Sequence, residues 1–377
     1  MIFGILKEPE NEKRVLLLPE DAATLIKLKA EVRIEKGAGL KAFQSDKAYE
    51  AIGVKVVERN EIFKTCDIIA SINPSDDQEL AKVPSDKVVL SVFNPLADKS
   101  CIDNLNKKGL TTFSLDIIPR TTRAQSMDIL SSMATVAGYK AVLDAARLLP
   151  TFFPMFMTAA GTIKPAKVLI LGAGVAGLQA LATARKLGAQ VEVFDVRSAV
   201  REEVKSLGGK FVEVEGATED KAAGGYAVEQ TEEFRRKQQE AIHNHASKSN
   251  VIICTAQIPG KNAPVLIKKE TVDAMVSGSV IIDLAASTGG NCELTENDKI
   301  IDYKGVCIVG KSTYPSSMPI DASRMFGKNV LNFLKLIIDK EGNLNLNFED
   351  DIVKGTCLTH KGDIMSDRVK SFYEPKN

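Results

Sequence analysis

A chain of 377 residues has room for two domains of ordinary size, and 44% hydrophobic with 26% charged residues is a globular, water-soluble composition. Its 49 basic residues balance 49 acidic ones, which excludes a global field drawing it to nucleic acid or an anionic membrane. Of the two longest uncharged runs, 148–163 is broken by Pro150 and Pro154 and 168–184 is a glycine motif, so no membrane-crossing helix is expected. From the N-terminus, residues 3–6 read as a strand, followed by a charged loop KEPENEKR. Pro19 with Glu20 and Asp21 then marks a helix start. Strand patterns recur at 32–34, 54–57, 68–72, 88–92 and 111–115, with helix patterns around 46–51 and 98–107. Such alternation implies a parallel sheet covered by helices.

The stretch 116–139 crowds Arg120, Arg123, Gln125, Ser126, Asp128, Ser131 and Ser132 into about a dozen residues. A helical pattern from Gln125 places Asp128, Ser131 and Ser132 near one face. By themselves these residues read either as a solvated helix start or as a polar cluster at a domain junction, able to hydrogen-bond a nicotinamide and its ribose. Residues 150–166, apolar but interrupted by prolines, suit a hairpin or extended arm that packs on another subunit.

Residues 167–195 carry the strongest signal. A β-branched run meets Gly172, Gly174 and Gly177, spaced G-x-G-x-x-G, then a helix pattern and a second strand ending on Asp195. Gly172 permits the tight turn, Gly174 lets backbone approach a pyrophosphate, and Gly177 lets helix and strand pack closely. The helix N-terminus favours phosphate, and Asp195 can accept both hydroxyls of an adenine ribose. That carboxylate favours NAD over NADP, a preference slightly weakened by Arg197. Further strands at 211–214, 251–254, 280–284 and 306–309 complete a doubly wound domain. The insertion 215–230, with Gly225 and Tyr226, is either a disordered surface loop or a mobile lid that lays Tyr226 over the cofactor. His243 and His245, two residues apart on a predicted helix, point apart, so no metal site is expected. The six cysteines (66, 101, 254, 292, 307, 357) never fall in C-x-x-C spacing and no signal peptide is visible, so they read as reduced cytosolic thiols.

A long amphipathic helix pattern near 320–338 can return the chain to its first part. The expected fold is α/β, two doubly wound Rossmann-like domains joined by two long helices near 125–148 and 320–338. The first domain is discontinuous, 1–130 and 316–377, and the second spans 131–315. GNLNLN and DIVKGTCLT near the C-terminus suggest a short hairpin before a polar tail.

The opening GILKE with RVLLLP, PRTTRAQSMDILSS with AGY, MTAAGTIKPAKVLILGAGVAGLQA, FDVR, AGGYA, EEFRRKQ, IPGKNAPVLI and VIIDLA with GGNC run nearly the whole chain. On these strings the protein resembles the NAD(H)-binding alpha subunit (domain I) of the proton-translocating NAD(P)+ transhydrogenases, relatives of alanine dehydrogenase. The resemblance implies that Arg120, Thr121, Thr122, Gln125, Asp128 and Ser131 hold the nicotinamide end. Arg120, Gln125, Asp128 and Ser131 form the catalytic group, with Gln125 reaching toward the second nucleotide. Val175, Asp195, Val196 and Arg197 would line the adenosine half, and Gly225, Tyr226 and Gln238 the mobile loop and the helix behind it. Gln257 stands where the family usually has an apolar residue. Alanine dehydrogenases use a lysine and a histidine of the N-terminal domain. Here that part has no histidine, and IASINPSD carries no lysine at the corresponding strand end. Direct hydride transfer between two nicotinamides needs neither. An alanine-dehydrogenase-like enzyme and a non-catalytic NAD sensor or scaffold are the alternatives. The family also implies a homodimer, with 150–166 as its contact, and membrane-spanning and NADP(H)-binding partner subunits, since the chain ends before either. It would bind NAD(H) itself and dock peripherally on the cytoplasmic side of the inner (plasma) membrane.

Overall fold

Six short β-branched or aromatic runs form the first sheet: β1 (Ile2–Ile5), β2 (Glu31–Glu35), β3 (Lys55–Val57), β4 (Ile68–Ala70), β5 (Val88–Ser91) and β6 (Thr111–Ser114). Between them lie α1 (Pro19–Lys27), α2 (Asp46–Glu50), α3 (Arg59–Thr65), α4 (Asp77–Leu80) and α5 (Lys99–Lys107). The strands are parallel in the order β6-β5-β4-β1-β2-β3. The order reverses between β1 and β4, the doubly wound arrangement. The computed structural model describes residues 1–97, 99–214, 216, 231–258 and 260–373. These fall into two units, Met1–Met133 with Pro315–Asn377, and Ala134–Tyr314.

Helix α6 (Ile129–Leu148) carries the chain from the first unit into the second. There β7 (Phe156–Thr158) and β8 (Gly161–Ile163) form an antiparallel hairpin whose six strand residues are all exposed. Then come β9 (Lys167–Leu171), α7 (Val175–Lys186), β10 (Gln190–Phe194), α8 (Arg201–Ser206) and β11 (Lys210–Phe211). After them follow α9 (Glu232–Ala246), β12 (Val251–Cys254), α10 (Lys269–Asp273), β13 (Val280–Asp283), β14 (Ile300–Tyr303) and β15 (Val306–Val309). The sheet order is β11-β10-β9-β12-β13-β15-β14, parallel except for β14. The sequence pattern gives little sign of that antiparallel edge strand. Its apolar content is the single pair Ile300–Ile301 among charged neighbours, and alternate residues face solvent.

The return crossing lies between Tyr314 and Pro315, inside the short turn Tyr314–Ser317, ahead of α11 (Pro319–Ile337), which belongs wholly to the first unit. Phe326, Val330, Phe333, Leu334 and Ile337 of α11 join the first unit's core, with the Phe333 ring 5.4 Å from that of Phe113. The C-terminal stretch differs from expectation. Residues of DIVKGT form α12 (Asp351–Thr356), because Asp350 accepts hydrogen bonds from the N–H groups of Ile352 and Val353 and caps it. Strand β16 (Cys357–His360) adds antiparallel to β6, then turns into β17 (Asp363–Ile364), and α13 (Asp367–Tyr373) follows. His360 therefore does belong to the first unit. It meets Thr111 at the amino end of β6, where its Nδ1 lies 2.9 Å from the Thr111 hydroxyl. Among the described residues no helix is long and apolar enough to cross a membrane.

Candidate dinucleotide site

In the second unit, register builds the cradle. Leu171 pairs with Phe194 on one side and Cys254 on the other, so Gly172, Asp195 and Thr255 emerge together at the carboxyl ends of β9, β10 and β12. This is the point where strand order reverses and such sheets bind ligands. Gly172 has φ +102°, a conformation that favours glycine. Its carbonyl accepts a 3.0 Å hydrogen bond from the Thr255 hydroxyl. A Cβ on Gly177 would stand 1.8 Å from the Gly172 oxygen, so α7 can cross this turn only without a side chain there. A Cβ on Gly174 would meet nothing within 4 Å. That open volume lies at the start of α7, whose cap residue Gly174 makes no side-chain bond to the first N–H groups. A pyrophosphate fits this space and charge.

Asp195 closes the cradle. Its Oδ2 accepts from Ala173 N at 2.7 Å and from Arg197 Nη2 at 2.7 Å. Its Oδ1 accepts from Arg197 N at 2.8 Å and Arg197 Nε at 2.9 Å. The Asp195 carboxylate holds the Arg197 guanidinium above its usual pKa. Val175 opens α7 and is exposed, Val196 is half-buried, and Gln257 after β12 is exposed with its amide 3.3 Å from the Leu284 carbonyl. Gln238 is buried on the face of α9 that also buries Phe234 and Ile242. Gly225 and Tyr226 lie outside the described residues.

Two residues that sequence reasoning passed over organise the same edge. Asp283, at the end of β13, is fully buried and accepts from the N–H groups of Ala285, Asn291 and Cys292 and from the Thr295 hydroxyl. Burial still pushes its pKa up. Asn291 accepts from Ala256 N and donates to the carbonyls of Ala256 and Pro264, which ties the loop after β12 to the loop after β13. The legible signal was an acid ending a wholly apolar strand.

In the first unit, the chain leaving β6 lines a cavity of about 310 Å³. Arg120, Thr121, Thr122, Gln125, Asp128 and Ser131 all line it, so the structure does gather the polar cluster. Its local form differs from the predicted helix: Gln125–Met127 is a single 3-10 turn and Asp128 is extended, with ψ 94°. Asp128 caps α6, its Oδ1 accepting from Ser131 N at 3.0 Å and its Oδ2 from the Ser131 hydroxyl at 2.6 Å. Gln125 is exposed, and among the described residues its side-chain amide makes no hydrogen bond. Arg123 instead pairs with Asp350 and Asp351. Asp116 also lines the cavity, bonded at 2.5 Å by the Ser114 hydroxyl, and burial raises its pKa. Neither lysine nor histidine is among the lining residues described. His360 sits at the opposite end of β6. Among the described residues no cluster suits a metal ion.

Residues 4–137 match the N-terminal domain of the alanine dehydrogenase/PNT family, and residues 141–367 its C-terminal domain. An NAD(P) transhydrogenase subunit alpha protein of Rhodospirillum rubrum is 45% identical over 375 residues, covering 97% of this chain and 98% of that protein. The crystal structure of transhydrogenase from Sinorhizobium meliloti matches with a TM-score of 0.88 at 41% identity, covering 97% of this chain and all of that one. The alanine dehydrogenase of Mycolicibacterium smegmatis is more distant, at 25% identity over 381 residues, with 98% of this chain and 96% of that protein covered. Matched in both domains and nearly end to end, the chain belongs to the alanine dehydrogenase/PNT family.

Proposed function

We propose that this chain is the NAD(H)-binding alpha subunit of a proton-translocating NAD(P)+ transhydrogenase. The observation that carries the reading is the 45% identity, along the whole chain, to a transhydrogenase alpha subunit, against 25% to an alanine dehydrogenase. The site chemistry supports it. Bound in the cradle, the dinucleotide supplies a hydride at nicotinamide C4. Gly174 and the start of α7 hold its pyrophosphate, and Asp195 its adenine ribose. Val175, Val196, Gln238 and Gln257 complete the surroundings, and Gly225 and Tyr226 belong to the loop that closes on them. Arg120, Thr121, Thr122 and Gln125 orient the nicotinamide end. Asp128 acts through Ser131, which it locks at the head of α6. Hydride passage from one nicotinamide to another moves no proton at either carbon, so a cavity without lysine or histidine is adequate to it.

The acceptor, NADP(H), is carried by a partner subunit, and proton passage by a membrane-spanning one. The chain docks on them from the cytoplasmic side as a homodimer. The hairpin region, with Phe152 51%, Met155 57% and Met157 75% exposed, supplies the contact between copies. Reconstitution with candidate membrane and NADP(H)-binding subunits tests the proposal. NADH-dependent reduction of NADP+ is expected from the complex and from none of its parts alone. Turnover of alanine with NAD by this chain by itself would replace the reading with an amino-acid dehydrogenase.

A further inference from the structure

We propose that Arg197 is the specificity-determining residue of the cradle, its guanidinium lying over Asp195 as a displaceable group that opposes NADH and favours NADPH. The proposal rests on the dinucleotide reading of this site. A carboxylate offers about four acceptor positions. On Asp195 all four are filled: Ala173 N and Arg197 Nη2 on Oδ2, Arg197 N and Arg197 Nε on Oδ1. The two backbone donors are fixed by the glycine turn and by the chain beyond β10. The two guanidinium donors belong to a side chain that is 27% exposed, over a carboxylate that is only 6% exposed.

An adenine ribose brings two hydroxyl donors, and the positions they need are those the guanidinium holds. Ribose entry therefore exchanges two charge-assisted hydrogen bonds for two neutral ones, which are individually weaker. Glu203 is a second acidic neighbour acting on Arg197, toward which the displaced guanidinium can turn. A 2′-phosphate meets the opposite situation. The guanidinium neutralises the carboxylate that would repel it and presents donors of its own. Asp195 by itself selects NADH; Asp195 covered by Arg197 selects it less.

Titration of NADH and NADPH onto the full chain, wild type and Arg197→Met, tests this. Methionine keeps an unbranched side chain but removes every donor and the charge. NADH should bind about threefold tighter and NADPH about threefold weaker, moving the ratio by roughly tenfold. Arg197→Lys, which keeps the charge with a single donor head, should fall between, and it serves as the second variant if the methionine protein fails to fold. Parallel weakening of both dinucleotides, or an unmoved ratio in a folded variant, overturns the proposal and leaves Arg197 a structural brace. Wild-type protein that binds neither dinucleotide overturns the reading of the site itself, a result distinct from NADH binding with an unmoved ratio.

Discussion

Gly174 and Gly177 stand three residues apart and answer to different constraints. At Gly177 a methyl group would press 1.8 Å from the Gly172 carbonyl oxygen, so Gly177→Ala must push α7 off its turn. Both thermal stability and NADH binding should fall. At Gly174 a methyl group meets no protein atom within 4 Å and intrudes only where a pyrophosphate would lie. Gly174→Ala should therefore keep its unfolding midpoint within about 2 °C of wild type, yet lose on the order of tenfold in NADH affinity. Differential scanning fluorimetry with a fluorescence titration checks the pair; two variants that behave alike would remove the phosphate reading of Gly174. Gln125 poses a purely catalytic question, because its exposed amide has no partner within the described part of the subunit. Misplacing reacting atoms by ~1 Å can slow a reaction roughly a hundredfold. Gln125→Asn should leave NADH binding by the isolated chain intact and slow hydride transfer in the reconstituted complex by about tenfold or more. Stopped-flow rates equal to wild type would exclude Gln125 from the mechanism.

Where α1 meets α11, a carboxyl group is held against its preference. Asp21 is 4% exposed, and its Oδ2, facing Gly327, has no hydrogen-bond partner among the described residues. Burial pushes its pKa from 3.8 up to about 6. The folded state thus keeps a proton that the unfolded chain releases. That stabilising contribution is whole below pH 3.8, fades as pH rises through about 6, and is gone above it. A shift of this size corresponds to at most ~3 kcal/mol, and solvent screening at a partly open site brings it to ~1–2 kcal/mol. Asp21→Asn should be the more stable protein at pH 8 by about 1 kcal/mol and lose that advantage near pH 4. Urea midpoints at the two pH values decide it; a gain that is the same at both would exclude titration of Asp21 as its cause. The element scale is also where the sequence was most and least legible. The run from β9 to Asp195 was plain because each part combines a strong local preference with a fixed length. Helix α12 was not, since Ile352 and Val353 favour strands and only the Asp350 cap turns them into a helix. The single turn at Gln125–Met127 escaped for a related reason. Asp128 spends its carboxylate on Ser131, which starts α6 four residues later than the pattern of side chains implied.

For the whole molecule, the exposed hairpin makes a prediction about assembly. Met157, 75% exposed on β7, touches nothing that explains its apolar side chain. If copies meet here, Met157→Asp should shift the sedimentation coefficient from dimer to monomer while NADH binding persists. A dimer unchanged by the substitution would move the contact elsewhere. The two crossings of the chain, at 133–134 and 314–315, also set a schedule for biosynthesis. A ribosome usually lets the first domain fold first. Here β1 to β6 emerge early, but the core they need includes Phe326, Val330, Phe333 and Leu334 of α11, and Ile352 and Val353 of α12. The nucleotide unit, 134–314, is complete in sequence before any of these is made. The nascent chain must therefore finish its second unit while its first waits with an apolar sheet face uncovered, the state in which a holding chaperone would find it.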